Sequence, residues 1–348
     1  MNKLREAFMS TMQEVAKKAG VSKATVSRVL TGKGYVSEAT KTLVYQAIEE
    51  TGYRPNLMAR NLATSKSGYI GLVVTNTLYS GNYFSELLSQ AALKLEASGR
   101  QLILVDGKHS AREEQEAVQF LLDLHCDAVI IYPRFLSVDE MDLLIGQHKQ
   151  PIMVMNRKLR KHQSHCICCD HKGSSYNATR HLIDNGHREI AFISGVLDSP
   201  TARERLAGYK EALEQAGLTP RDELIVAGKW TPASGAAGVE NLLARGEKFS
   251  ALVASNDDMA IGAIKQLSNT GLRVPDDVSI IGFDNVPTGA FLSPALSSVK
   301  EPVSDMIHEV INRLTAMLDG GYLSKDNLYA SDLIVRDSVA KGPYFMAK

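Results

Sequence analysis

From Tyr69 onward the chain repeats one texture, short apolar runs alternating with stretches whose apolar positions recur at helical spacing. The runs are "YIGLVV" (69–74), "QLILV" (101–105), "AVII" (128–131), "IMVM" (152–155), "HCICC" (165–169), "EIAFI" (189–193), "ALVA" (251–254) and "SIIGF" (279–283). A strand apolar at nearly every position is covered on both faces, and the intervening helices supply the covers, which is the pattern of a parallel sheet wrapped by helices. Helices are expected at about 82–98, 112–124, 138–147, 173–185, 201–216, 235–245 and 257–270. Eight strands could close as one barrel or divide into two doubly wound sheets. The polar, basic stretch "NRKLRKHQS" (156–164) falls midway and predicts a division there. Two such lobes leave a cleft at the C-terminal ends of their strands, so residues just after strands are the candidate ligand contacts. A helix over 302–319 and a strand near "DLIV" (332–335) come late enough for the chain to cross back between lobes.

The first sixty residues read differently. Val15, Ala16 and Ala19 form one helical stripe and Gly20 breaks it. Ser22 is placed to cap a second helix from Lys23 to Leu30. A third helix runs from Ser37 through Leu43, Val44, Ala47 and Ile48 to Gly52. Charge singles out the same region. The chain is neutral overall, with 39 basic and 39 acidic residues, but residues 1–66 carry +6 and the remainder −6. A basic head of short helices joined at a glycine turn is the helix-turn-helix pattern, whose second helix enters the DNA major groove. Lys23 and Ala24 are placed for base edges, Ser22, Thr25 and Ser27 for phosphate oxygens, and Arg28 for either.

Other classes find little support. No apolar run reaches the roughly 18 residues that span a bilayer, and "MNKLREAFMS" lacks a secretory core, so a cytoplasmic protein with no membrane partner is expected. No G-x-S-x-G, P-loop or H-E-x-x-H stands in the sequence, so neither an enzyme nor a cofactor is expected. Cys166, Cys168 and Cys169 lie in an extended run whose side chains alternate faces, which favours a structural strand over a metal site; Cys126 is expected in the core.

"EVAKKAGVSKATVSRVL", with "VSEATKTLVYQAIEETGYRPNLMARNLATSKSGYIGLVV", "HLIDNGHREIAFISG", "RERLAGYKEAL", "SNDDMAIGAIKQL" and "DDVSIIGFDN", closely resembles the LacI/GalR family of bacterial transcription regulators from Thr11 to near the end. The resemblance implies a helix-turn-helix head over 1–55, a hinge helix and linker over 56–68, and over 69–348 a dimerising body of two doubly wound lobes like periplasmic binding proteins. It further implies that the hinge, capped by Asn56 after Pro55, becomes helical on operator DNA. Leu62 would then wedge into the minor groove and Ala59 would face the partner hinge. In the body it implies a sugar effector held by Arg205, Asn256, Asp284 and the lone Trp230, with Asn156 where relatives often carry aspartate. Tyr79, Tyr83 and Phe84, with Leu78, would form an aromatic rim for an aglycone or second ring, and Tyr132 would join them. "IYPRFLSVDE" and "GKWTPASG" resemble a branch concerned with β-glucosides. The expected protein is thus a homodimeric repressor of a sugar operon on a pseudo-palindromic site, tuned by a β-glucoside. A transport-type sugar-binding protein and a corepressor-dependent regulator are the alternatives. No leucine heptad follows "LIVRDSVAKGPYFMAK" to make a tetramer.

Overall fold

A computed structural model describes residues 10–32, 34–53, 67–76, 81–321 and 327–345. Its contacts divide the chain into a head ending at Ser67 and a body beginning at Gly68.

In the head, α1 (Met12–Ala19) opens with a reciprocal cap. Thr11 Oγ1 accepts from the Glu14 amide, and the Glu14 carboxylate accepts from the Thr11 amide at 2.7 Å. Gly20, at φ 66°, turns the chain out of the helix in the left-handed region. Ser22 then caps α2 (Lys23–Thr31), accepting from the Thr25 amide at 3.1 Å, and Ser37 caps α3 (Glu38–Thr51). Helices this short do not persist alone, so their stability comes from the shared core of Val15, Ala16, Val26, Val29, Val44, Ala47 and Tyr53.

Among the described residues the body holds two six-stranded sheets. Lobe 1 contains β1 (Tyr69–Val74), α4 (Asn82–Ala97), β2 (Gln101–Asp106), α5 (Ala111–Asp123), β3 (Ala128–Tyr132), α6 (Val138–Gln147), β4 (Ile152–Met155) and β5 (Cys166–Cys169). Lobe 2 contains α7 (His171–Asp184), β6 (Ile190–Ser194), α8 (Pro200–Gln215), β7 (Ile225–Ala227), α9 (Pro232–Ala244), β8 (Ala251–Ala254), α10 (Asp257–Asn269), β9 (Ser279–Phe283) and β10 (Ser297–Lys300). The chain returns to lobe 1 for α11 (Val303–Asp319) and β11 (Leu328–Tyr329), then ends in lobe 2 with β12 (Asp332–Ile334). The strand orders are β11-β5-β4-β3-β1-β2 and β12-β10-β9-β8-β6-β7. All pairings are parallel except β10 with β12. Both sheets are covered on both faces: Leu72 and Ile130 face the α4–α11 side, while Val73 and Ile131 face α5 and α6.

The stretch 156–164 is not the division expected of it. It lies inside lobe 1, between β4 and β5, where buried Asp142 accepts from the amides of Arg160, Lys161 and His162 and from His162 Nδ1 at 2.9 Å. Those bonds satisfy a polar loop without ending the lobe. The first crossing comes at Asp170, after "CICC", which forms β5 with all three cysteines buried. Cys126 is buried in the core of lobe 1.

Candidate functional site

In α2 the buried side is Val26 and Val29, and Lys23, Ala24 and Arg28 stand exposed. Thr25 and Ser27 are half-buried beside them. Ser22 is exposed, and its hydroxyl is committed to the helix, bonding the Thr25 amide and lying 2.9 Å from Thr25 Oγ1. The basic and small residues assigned to base edges therefore share one open face. Asn56, Ala59 and Leu62 of the expected hinge, and Leu78 and Tyr79 of the expected rim, lie outside the described residues.

In both lobes the strand order reverses direction, between β1 and β3 and between β6 and β8. Crevices for ligands open at such points, beyond the carboxyl ends of the strands. Here the two ends line one cleft, with Thr75 and Tyr132 at the strand ends of lobe 1 and Trp230 and Asn256 in lobe 2.

Its floor is a buried ionic cluster. Arg205, 3% exposed on α8, donates to the Ser255 carbonyl and to Glu301, with Asp284 Oδ1 at 3.7 Å. His171 Nδ1 lies 2.9 Å from Glu301 Oε1, out of line for a good hydrogen bond, and Nε2 lies 2.9 Å from Asn156 Oδ1. Burial opposes ionisation of both carboxyls. Arg205, with His171 beside it, nonetheless holds Glu301 low, whereas Asp284, farther from Arg205 and repelled by Glu301, is pushed up to about 7. Three donor atoms, from Cys169, His171 and Glu301, lie within 4.8 Å of one another. Glu301 is already paired with Arg205, and burial pushes the Cys169 thiol up to about 12.

The walls are aromatic. Trp230, at φ 64°, is tethered by Asn256, which donates from Nδ2 to its carbonyl at 3.1 Å while Oδ1 caps α10 through the Met259 amide. The indole lies flush against Gly195, where a Cβ would come within 1.9 Å of Trp230 Cζ2. Opposite, Tyr83 and Tyr132 meet edge to face at 5.7 Å, and Asn156 Nδ2 donates to the Tyr132 hydroxyl at 2.7 Å. Burial pushes both phenols up, Tyr132 to about 12.

Of the expected effector contacts, the cleft brings together Arg205, Asp284, Asn256, Trp230, Asn156, Tyr83 and Tyr132. Phe84 is a correction: half-buried on α4, it packs into the apolar core of lobe 1 and does not line the cleft. Asn156 and Asn256 spend much of their hydrogen-bonding capacity on the protein itself, so they orient neighbours as well as line the site. Sequence reasoning missed Glu301, His171, Arg134 and Arg157. Glu301 follows a strand that hydropathy hides, and the others stand in loops or at a helix start, where no periodicity marks them.

Comparison with known proteins decides the family. Residues 11–56 match the model of bacterial regulatory proteins of the lacI family, and residues 179–339 a periplasmic binding protein-like domain. The HTH-type transcriptional regulator AscG of Escherichia coli (strain K12) is 63% identical over 331 residues, covering 95% of this chain and 98% of that protein. The chain belongs to the lacI family of bacterial regulatory proteins. Among solved lacI-family structures, the Lac repressor dimer bound to operator and the anti-inducer ONPF superposes with a TM-score of 0.86 at 27% identity, over 95% of this chain and 99% of that one. The transcriptional regulator CelR–cellobiose complex superposes with a TM-score of 0.70 at 30% identity, over 94% and 99%. As a lacI-family member this chain is a DNA-binding transcriptional regulator, its helix-turn-helix head joined to a sugar-binding type of body. Among the described residues no helix is long and apolar enough to cross a membrane.

Proposed function

We propose that this regulator represses a β-glucoside utilisation operon from the cytoplasm, as a homodimer on a pseudo-palindromic operator. A glucoside in the cleft tunes its grip, and the protein performs no turnover. One observation carries the reading. Arg205 and Asp284 meet in a buried cleft faced by Trp230 on one side and two tyrosines on the other, the mixture of fixed polar groups and aromatic faces that holds a sugar ring. The relatives agree with it: AscG supplies the asc connection, the Lac repressor binds operator as a dimer, and CelR binds cellobiose, a β-linked disaccharide of glucose. A transport-type protein would have no use for the exposed face of α2. The test is operator binding measured against a panel of β-glucosides and monosaccharides. A β-glucoside that shifts operator affinity while being recovered unchanged is expected; a panel with no effect, or hydrolysis of any glucoside by the purified protein, defeats the proposal.

A further inference from the structure

Among the described residues, the cleft carries one arginine with no salt-bridge partner. Both other arginines lining it have a carboxylate partner: Arg134 meets Asp198 at 3.0 Å, and Arg205 meets Glu301 and Asp284. Arg157 lines the same cleft from the loop after β4. It donates through Nη1 to the Asn156 carbonyl and through Nη2 to the Pro133 carbonyl, both at 3.1 Å, and no carboxylate among the described residues forms a salt bridge with it. Two of the five N–H donors of a guanidinium are thus spent on orienting it. Glu204 and Glu114 act on it only at longer range, and Arg203 opposes them. A guanidinium clamped by carbonyls and left without an anion is poised for one that arrives with the ligand.

What faces it has the same preference. Arg157 Nη2 holds the carbonyl of Pro133, the residue before Arg134, and Arg134 in turn reaches Asp198, just ahead of α8, whose first residues line the cleft with Arg157. Ser199, the N-cap of this 16-residue helix, makes no side-chain cap bond, no acid stands in its first turn, and Ser199 and Thr201 line the cleft. The positive end of α8 is therefore open on this side. Independently, Arg205 Nε is buried without a hydrogen-bond partner among the described residues. Closing this cleft over a neutral sugar would desolvate Arg157 and give it no anion.

We propose that the effector is a phosphorylated sugar, whose phosphate monoester is bound by Arg157 together with the hydroxyls and amides that begin α8. This rests on the reading of the cleft as a sugar site. It names the chemical class of sugar and adds Arg157 as the residue that selects it. Such an ester carries nearly two negative charges at neutral pH and matches a guanidinium fork.

The experiment is calorimetry on the full-length protein with three probes: an aryl β-glucoside, the same glucoside phosphorylated at its primary hydroxyl, and inorganic phosphate. The ester is expected to bind about 30-fold more tightly than the neutral glucoside. Arg157→Met should erase that preference, weakening the ester far more than the neutral glucoside, and Arg157→Lys should retain part of it. Equal affinities for the two glucosides overturn this proposal and leave the sugar reading standing, whereas failure of both to bind overturns the two together. Inorganic phosphate binding as tightly as the ester makes this an ion site only and also overturns it. Should Arg157→Met lose both glucosides, Arg157→Lys decides: weakened ester binding with intact neutral binding supports the proposal, and unchanged ester binding ends it.

Discussion

Asp284 shows how much backbone work one proposed ligand contact requires. It sits at φ 94° and Asn285 at φ 49°, two successive non-glycine residues in the left-handed region. The loop holds because Asp257 accepts from the Val286 amide at 2.8 Å and from Ser298 at 2.7 Å, while Arg336 donates to Asn285 Oδ1 at 2.7 Å. With the Asp284 carboxyl raised to about 7, the folded protein retains between about pH 4 and 7 a proton that the unfolded chain has lost. This group's contribution to stability therefore falls as pH rises through that window. Sugar hydroxyls donating to the carboxylate favour its ionised form. A neutral glucoside, which does not itself titrate, should thus bind more tightly at pH 8 than at pH 6 and release a proton near neutrality. Calorimetry in buffers of different ionisation enthalpy measures both, and affinity that falls over this range sinks the assignment. Gly195 offers a second residue-level test. Gly195→Ala drives a methyl into the Trp230 ring, and the tether from Asn256 resists its retreat. Effector affinity should fall at least about tenfold, at a cost of ~1.4 kcal/mol or more. The emission of the lone tryptophan should shift while operator binding persists; unchanged affinity and emission would remove Trp230 from the site.

Elements were legible where hydropathy and periodicity agree. The runs that became β1, β3, β4, β8 and β9 are apolar at nearly every position because both faces are covered, and in the head Ser22 and Ser37 marked the starts of α2 and α3 while Gly20 and Gly52 marked the ends of α1 and α3. Three strands were not legible. β7 and β11 have only three and two residues, and β10 reads "SSVK", two serines in a buried strand. Those serines are affordable there because partners satisfy them: Ser297 Oγ accepts from the Arg336 amide and Ser298 Oγ donates to Asp257. Missing β10 meant missing Glu301 one residue beyond it, and with it the counter-ion of Arg205. Loops posed the same difficulty, since their geometry depends on long-range acceptors. Buried Glu114 on α5 accepts from the amides of Arg134, Phe135 and Leu136, at 2.7, 3.1 and 2.8 Å, and so shapes the loop that carries Arg134 to the cleft mouth. Glu114→Ala should cost about 2–4 kcal/mol in urea unfolding, because it orphans three amides at once. A loss below about 0.5 kcal/mol would show that the loop keeps its shape without this residue.

At the scale of the molecule, the cleft floor is built where the chain passes between lobes. His171 follows the first crossing, Glu301 precedes the return through α11, and Ser331, on the last crossing, lies 3.2 Å from Cys169. A ligand that engages Arg205 and Asp284 from lobe 2 and Asn156 and Tyr132 from lobe 1 therefore bears directly on the segments that set the angle between the lobes. It can alter operator binding only by favouring one lobe arrangement over another. The head folds around its own core, so on the proposal that α2 reads DNA the two binding events should be separable by mutation although coupled in the native protein. Arg28→Ala should abolish specific operator binding at matched salt and leave effector affinity in the absence of DNA unchanged. Arg205→Ala should leave operator affinity within about twofold and remove the response to effector. In the unaltered protein the factor by which saturating effector changes operator affinity must equal the factor by which operator changes effector affinity, typically 5–150-fold for such couplings. Both halves of that cycle can be measured by fluorescence anisotropy of labelled operator and by effector titration of the protein–DNA complex. An Arg205→Ala variant that still responds to effector would move the sensing site out of the cleft, and an Arg28→Ala variant with full operator specificity would move recognition off α2.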